Sequence, residues 1–486
     1  MSLSVFAIFL SGVAGGFAAT LMPCIFPMLP LTVSYFTKTT ASKANAVNKA
    51  LLYGLSIIVI YVALGLAITV TFGADALNSL STNGLFNFFF FVILVMFAIS
   101  LLGGFDITLP SKWINKMDRK ADKGGIAGTF FMAATLSLVS FSCTGPIIGT
   151  LLVQAATNGK LLAPAIGMFG FSLALALPFT FFALVPNAMN ALPRSGKWLV
   201  NFKVVLGFLE LALSLKFLSN VDLVYHFNLL DREVFLVLWI TIAALLGCYI
   251  LGKLRFAYDE ELKIITIPRL LIAIVTFSFA LYMVPGLWGA PLKSITAFLP
   301  PQQTQDFDLY SRSNGPEATR IPPKVSRKYD KLFKAPSGLD VFFDYDEGMA
   351  DAKRRHKPVM IDFTGHACVN CRKMEATVWT DEAVFKLLSE NFVLIQLYVD
   401  DKTSLPDNEQ YTSAFSHKHV ETIGQKWSDL QATKFNSNSQ PFYVLLDNKG
   451  KLLCPAEGAD YDPKAYAAFL VTGIKNFTNN TARGSL

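Results

Sequence analysis

The spacing of Cys368 and Cys371 is the clearest chemical feature of the 486-residue sequence. They form the C-x-x-C of G-H-A-C-V-N-C, directly after the apolar stretch 358–363. Such a pair at a helix start is typical of a redox site rather than a zinc site, because no second ligand pair follows. A helix N-terminus stabilises a thiolate. This predicts that Cys368 is the nucleophile that forms a mixed disulfide and that Cys371 resolves the mixed disulfide. The alternative is a structural disulfide, although so small a loop is a poor cross-link.

Two further cysteines, Cys24 and Cys143, each lie beside helix breakers in an apolar segment. Their neighbourhoods read L-M-P-C-I-F-P-M-L-P and S-F-S-C-T-G-P, and the tetrapeptide A-A-T-L precedes both. Two such thiols can form a disulfide if their Cα atoms come within about 7 Å, which the sequence leaves open. The alternative is that each cysteine packs as a small apolar residue.

The prolines beside these cysteines are Pro23, Pro27 and Pro146. Proline lacks a backbone donor and clashes with the preceding turn, so a continuous helix is not expected there. A broken helix at membrane depth persists only where it is packed in protein or lines a wet cavity. The hypothesis is that these prolines form mobile breaks that let the membrane cysteines reach both sides. The alternative is a tolerated kink in each helix.

The composition is that of a membrane protein, with 53% hydrophobic and 16% charged residues, against roughly 25% charged residues in soluble domains. About 20 apolar residues suffice for one spanning helix. On that criterion the sequence predicts eight segments, of which the first and fourth are over-long and contain Cys24 and Cys143. The segments are 3–36, 48–72, 85–105, 126–158, 164–186, 199–218, 233–253 and 268–289.

Basic residues predict the orientation of these segments. The connections after segments one, three, five and seven contain fifteen Lys and Arg residues, and those after segments two, four and six contain two. Both termini are therefore expected outside the cytoplasm, without a cleaved signal peptide. Residues 1–290 carry 18 basic and 11 acidic side chains, and the rest carry 24 of each. The net charge of +7 is thus accounted for by orientation, and no nucleic-acid partner is expected.

In this orientation, segments one to three and four to six are candidates for inverted repeats, which place a site near the membrane midplane. Cys24 and Cys143 would occupy equivalent positions there. Glu210, in the sixth segment, is the other polar candidate, because intramembrane carboxylates default to a functional hypothesis. A proton relay and a structural carboxylate are equally compatible with it.

Periodic apolar sequence stops near Gly289, and residues 290–338 are predicted to be a linker. Residues 339–486 show the pattern of a small α/β domain. Its predicted helices are 346–353, one starting near Cys368, 422–430 and 463–477. Its predicted strands are 358–363, 392–399 and a hairpin formed by 441–447 and 451–453.

The exported domain resembles a thioredoxin fold. Asp362, six residues before Cys368, matches the buried acid that helps deprotonate a resolving cysteine, and Pro441 matches the cis-proline that faces the active site. C-V-N-C together with Glu375 resembles the C-terminal domain of the DsbD family, in which two such acids tune the cysteine pair. The membrane half is similar to the central domain of DsbD and to its relative CcdA through P-C-x-x-P and C-T-G-P.

The resemblance implies a polytopic helical membrane domain of eight helices with inverted three-helix repeats, followed by an α/β thioredoxin-fold domain. It implies a bacterial inner-membrane disulfide reductase. Cytoplasmic thioredoxin would reduce Cys24–Cys143, which would reduce Cys368–Cys371 and then periplasmic disulfide proteins. Cytochrome c maturation factors are candidate acceptors. No metal, flavin or nicotinamide is expected, because each step is thiol–disulfide exchange.

Two further expectations follow from the resemblance. Asp362 and Glu375 are predicted to raise the pKa of the cysteine pair until a partner docks. Family members also carry an exported immunoglobulin-like domain with its own cysteines, whereas this sequence begins directly with a membrane segment. The acceptor is therefore expected either on a removed domain or on a separate protein.

Two rival functions use the same cysteines. An oxidase would pass electrons from exported thiols to a quinone, but such proteins usually carry cysteine pairs in exported loops. A transporter would use Cys24 and Cys143 as soft ligands for copper or mercury. The transporter hypothesis does not explain why a C-x-x-C domain is fused to the membrane half.

Overall fold

A computed structural model describes eight stretches of the chain, together with a few isolated positions. The stretches are 5–20, 51–66, 83–105, 162–184, 196–256, 264–306, 327–336 and 338–483. The predicted membrane site, comprising Cys24, Cys143, Pro23, Pro27 and Pro146, lies outside the described residues.

Seven of the eight predicted apolar segments contain a helix in the described stretches. The helices are Val5–Thr20, Leu51–Leu66, Gly84–Leu101, Leu162–Leu184, Gly196–Tyr225, Arg232–Ile250 and Ile267–Met283. Most of segment 126–158 lies outside the described residues. Among the helices described, those in 84–101, 201–225, 232–250 and 267–288 are long and apolar enough to cross a membrane. The prediction of a helical membrane half is therefore confirmed, while the inverted repeats stay a prediction.

The chain divides into two compact units, residues 1–214 with 248–270, and residues 215–247 with 271–486. In the first unit, Val5–Thr20 packs along Leu162–Leu184. Glycines make this contact close: a Cβ on Gly170 would lie 2.7 Å from the Phe9 carbonyl oxygen, and Gly12 and Gly16 meet the backbone of the other helix. Small residues let membrane helices approach in this way, because van der Waals packing drives their association.

The second unit contains a four-stranded sheet made of β1 Val341–Phe342, β2 Val359–Thr364, β3 Val393–Tyr398 and β6 Phe442–Leu446. Its strand order is β1-β3-β2-β6. Two short strands, β4 Tyr411–Thr412 and β5 His419–Val420, form a separate pair. β3 runs parallel to β1 and β2, and β6 runs antiparallel to β2. The domain also contains the helices Tyr345–Arg355, Val369–Thr377, Glu382–Asn391, Ile423–Phe435 and Pro463–Arg483. This arrangement confirms the predicted α/β class.

Two local features of the domain differ from the predicted elements. The helix expected near Cys368 ends at Thr377, and a second helix, Glu382–Asn391, follows it. Asp381 is the N-cap of this second helix, because its side chain accepts hydrogen bonds from the backbone N–H groups of Ala383 and Val384. The return segment of the hairpin pairs with β6 through a single bridge, between Leu446 and Leu452.

Candidate active site

The C-x-x-C pair lies where β2 passes into the helix Val369–Thr377. Cys368 is the N-cap of that helix, and the two cysteines form a disulfide with a Cα–Cα distance of 5.3 Å. The Cys371 backbone N–H donates to Cys368 Sγ over 3.1 Å. Cys371 is only 1% exposed, whereas Cys368 is half-buried. A partner thiolate can therefore reach Cys368 more readily than Cys371, as expected of a nucleophile and its resolver.

The loop that carries Cys368 is tied to the end of β3. The Asp400 carboxylate accepts hydrogen bonds from the backbone N–H groups of His366, over 2.9 Å, and Ala367, over 3.0 Å. A Cβ on Gly365 would lie 2.8 Å from Asp400 Oδ2, so this close approach requires glycine. The position of the nucleophile is thus set by a residue 32 positions later in the chain.

The two predicted acids, Asp362 and Glu375, are joined by one side chain. Gln396 Nε2 donates to Asp362 Oδ2 over 3.0 Å and to Glu375 Oε1 over 2.9 Å. Burial and the neighbouring Glu375 carboxylate raise the pKa of Asp362 to about 7. Burial also raises the pKa of Glu375, although Arg372 and Gln396 oppose that rise. Asp362 can therefore exchange a proton near neutral pH, as an acid–base partner of the cysteines requires.

Arg372 supplies the positive charge of this buried network. It is 3% exposed, its Nη1 atom lies 2.8 Å from Glu375 Oε2, and its Nη2 atom donates to Thr364 Oγ1 over 2.9 Å. The Tyr398 hydroxyl also contacts the guanidinium. A buried carboxylate is costly unless it is paired, so Arg372 offsets part of the effect of burial, which raises the pKa of Glu375.

Sequence reasoning missed Arg372 and Gln396, although each has a local signal. Gln396 is the polar residue inside the apolar run F-V-L-I-Q-L-Y-V, and all of β3 is buried. Arg372 directly follows Cys371 in the first turn of a packed helix. A buried polar side chain needs a partner, so both positions indicated a hydrogen-bond network.

Pro441 lies at the sheet edge that leads to the cysteines. The Gln440–Pro441 peptide bond is cis, as the resemblance predicts. Phe442 pairs with Phe363 in the β2–β6 register, which places Pro441 at the end of β2 from which the active-site loop departs. That Pro441 faces the cysteine pair stays a prediction.

We expect neutralising the acid pair to speed the reaction of Cys368. In Asp362→Asn/Glu375→Gln, two nearby groups that can carry negative charge are removed, so the thiolate forms at lower pH. The measurement is the rate of alkylation of reduced Cys368 between pH 5 and 9, with Cys454→Ser in every protein. We expect an increase of roughly tenfold near pH 7, about one pKa unit. An unchanged pH profile would remove the acids from control of the thiol.

The remaining candidates are Glu210, Cys248 and Cys454. Glu210 is buried, and both carboxylate oxygens lack a hydrogen-bond partner among the residues that the structure describes. Its two interpretations therefore both stay open. Cys248 and Cys454 are free cysteines.

Comparison with known families supports this architecture in both halves of the chain. Residues 3–221 match the family described as "Cytochrome C biogenesis protein transmembrane domain". Residues 340–447 match the family described as "Thioredoxin-like". The two matches cover the predicted membrane cysteines and the C-x-x-C pair respectively.

Similar proteins from several bacteria carry the name "Thiol:disulfide interchange protein DsbD". The one from Ralstonia nicotianae is 23% identical over 78% of this chain and 58% of its own length. The one from Pseudoalteromonas atlantica is 25% identical over 87% and 64%, and that from Haemophilus ducreyi is 25% identical over 90% and 68%. The chain thus spans less than two thirds of the first two relatives. The two domain matches and these relatives thus confirm the predicted resemblance to the DsbD family, with a multi-pass transmembrane domain followed by a thioredoxin-like domain.

Proposed function

We propose that this protein is a disulfide reductase that carries reducing equivalents outward across the inner membrane. The observation that carries the proposal is the Cys368–Cys371 disulfide at a helix N-terminus, with a half-buried first cysteine and a buried second one. The same chain has helices that are long and apolar enough to cross a membrane. The similar proteins support thiol–disulfide exchange as the reaction, because they are named for thiol:disulfide interchange.

The proposed route begins with cytoplasmic thioredoxin and a Cys24–Cys143 disulfide. In each step a donor thiolate attacks a disulfide sulfur, a mixed disulfide forms, and the second donor thiol releases the reduced acceptor. Two electrons and two protons pass to the acceptor, and the donor is left as a disulfide. The membrane pair would then reduce Cys368–Cys371 by the same exchange.

The exported domain would pass the electrons to periplasmic disulfide proteins. An immunoglobulin-like acceptor domain and cytochrome c maturation factors are the candidates. This assignment requires periplasmic termini, a membrane domain at 1–289, a linker at 290–338 and an exported domain at 339–486. The more reducing poise of the cytosol supplies the direction, and the exchange itself requires only the cysteines.

Thiol trapping on the purified oxidised protein tests the relay. Reduced thioredoxin is added, free thiols are tagged, and the two pairs are scored separately in variants that keep only one pair. We expect Cys368 and Cys371 to become reduced only when Cys24 and Cys143 are present. Reduction of the exported pair without the membrane pair would overturn the relay. If both pairs stay oxidised, the quinone oxidase or the metal transporter becomes the better hypothesis.

The same trapping assay addresses the membrane prolines. In Pro23→Ala/Pro27→Ala/Pro146→Ala, continuous helices are expected to hold the two cysteines to one side and slow reduction of Cys368–Cys371. The matched control is Pro178→Ala, which replaces a proline inside the helix Leu162–Leu184 that belongs to neither cysteine motif in the sequence. A normal transfer rate in the triple variant would show that the breaks are not required.

A further inference from the structure

Three side chains far apart in the sequence converge beside the active-site loop, all within the second unit. His226 follows the helix Gly196–Tyr225, His366 lies in the loop before Cys368, and Asp401 follows β3. Asp401 Oδ2 lies 2.8 Å from His226 Nε2 and 3.0 Å from His366 Nε2. One ligand atom from each residue falls within 4.8 Å of the others.

Neighbouring aromatic rings hold the two imidazoles in place. The His366 ring stacks on Tyr398 at a centroid distance of 4.5 Å and lies 5.8 Å from Phe333. The His226 ring meets His366 at 84° and also packs edge-on against Phe333. His226 itself has φ of +56°, a left-handed conformation that is uncommon for a residue other than glycine. The Nε2 atoms are therefore directed to one point by packing.

The carboxylate at this point is buried. Asp401 is fully buried, and its neighbour Asp400 is 4% exposed. The ion-pair partners of Asp401 among the described residues are these two imidazoles. A cation at this point would compensate a buried carboxylate that is otherwise expensive.

We propose that His226, His366 and Asp401 bind a divalent transition-metal ion of the Zn²⁺ class. Two imidazole nitrogens and a carboxylate oxygen are a usual ligand set for zinc, with water in the fourth position. Ligand atoms around tetrahedral zinc are about 3.3 Å apart, so shifts of a few tenths of an ångström would bring the Asp401 oxygen to that distance from both nitrogens. The other oxygen of Asp401 accepts from the Thr403 backbone N–H over 2.9 Å, which orients the carboxylate.

The site would connect the end of a membrane helix to the loop that carries the nucleophile. His366 precedes Cys368 by two residues, and His226 directly follows the helix Gly196–Tyr225. The side chain of His226 is 21% exposed, which leaves a route for the ion. The metal would have a structural role, beyond the cysteine chemistry proposed above.

Cobalt titration of the full-length oxidised protein tests the site. Co²⁺ is the spectroscopic probe, and Zn²⁺ is then added as a competitor. We expect one Co²⁺ per chain, visible as d–d bands that Zn²⁺ removes. His226→Gln and Asp401→Asn are expected to weaken binding by at least ~100-fold, since even outer-shell changes cost about 10–100-fold. His419→Ala, which replaces an exposed histidine of the same domain, is the matched control and should bind normally.

A second measurement separates a metal site from a hydrogen-bonded contact. Hydrogen exchange of peptides covering 222–230 and 364–368 should slow on addition of Zn²⁺ in the wild-type protein and not in Asp401→Asn, which keeps a hydrogen-bond acceptor. Absence of saturable Co²⁺ binding would overturn the proposal. Co²⁺ binding by His226→Gln and Asp401→Asn with the wild-type affinity would also overturn it. A thiolate-to-cobalt charge-transfer band would do the same, because it would assign the metal to cysteines.

Discussion

Replacing Cys371 with serine is expected to arrest the protein as a covalent mixed disulfide with its partner. Cys368 is the accessible N-cap residue and can still attack, but the buried resolving thiol that releases the partner is gone. Cys368→Ser should instead form no mixed disulfide. Both variants should lower steady-state disulfide reduction by roughly 10³-fold or more, because turnover requires both an attacking thiolate and a resolving thiol.

The measurement is a non-reducing gel of each reduced variant after incubation with a disulfide-containing partner protein, together with the rate of insulin disulfide reduction. Cys454→Ser is the matched control in the same domain. Burial raises the pKa of the Cys454 thiol to about 11, so it is a poor nucleophile at neutral pH, and its replacement should leave the rate unchanged. Equal loss of activity in Cys454→Ser, or adducts formed by Cys368→Ser, would contradict the assignment of nucleophile and resolver.

Asp362→Asn is expected to stabilise the exported domain at pH 8 and to leave its stability nearly unchanged at pH 4. The folded carboxyl group has a pKa of about 7, against an ordinary value of 3.8. The folded state therefore binds the proton more firmly, and the stability of the wild-type domain falls as pH rises from about 4 through 7. Asparagine is neutral throughout and can still accept from Gln396, so it avoids a penalty of up to ~4 kcal/mol.

Hydrogen exchange of β2 and β3 in the full-length protein measures this effect. The protein is kept oxidised so that the cysteine pair does not titrate, and variant and wild type are compared at the same pH. Asp407→Asn, which replaces an exposed carboxylate, controls for the general loss of a negative charge. The same difference at pH 4 and pH 8 would mean that Asp362 does not titrate in this range.

Much of the candidate site could be predicted from sequence because its signals are local. The C-x-x-C spacing, the buried strand before it and the helix after it all lie within 359–377, and the structure has them in that order. The resemblance to thioredoxins and to the DsbD family identifies Asp362 and Glu375 by their positions relative to Cys368. The apolar segments were also found, since a spanning helix needs only a continuous run of apolar residues.

Contacts between distant segments had no such signal. The redox motif, the membrane composition and the order of helices and strands can be read from the sequence, because hydrophobic period, proline and helix caps act over a few residues. The bridge from Asp362 through Gln396 to Glu375, across 34 and 21 residues, becomes visible in the folded chain. So does the contact of His226 with Asp401 across 175 residues. Such pairs depend on strand register and on the path by which the chain returns. The residues next to either partner in the sequence therefore show no pattern that indicates the contact.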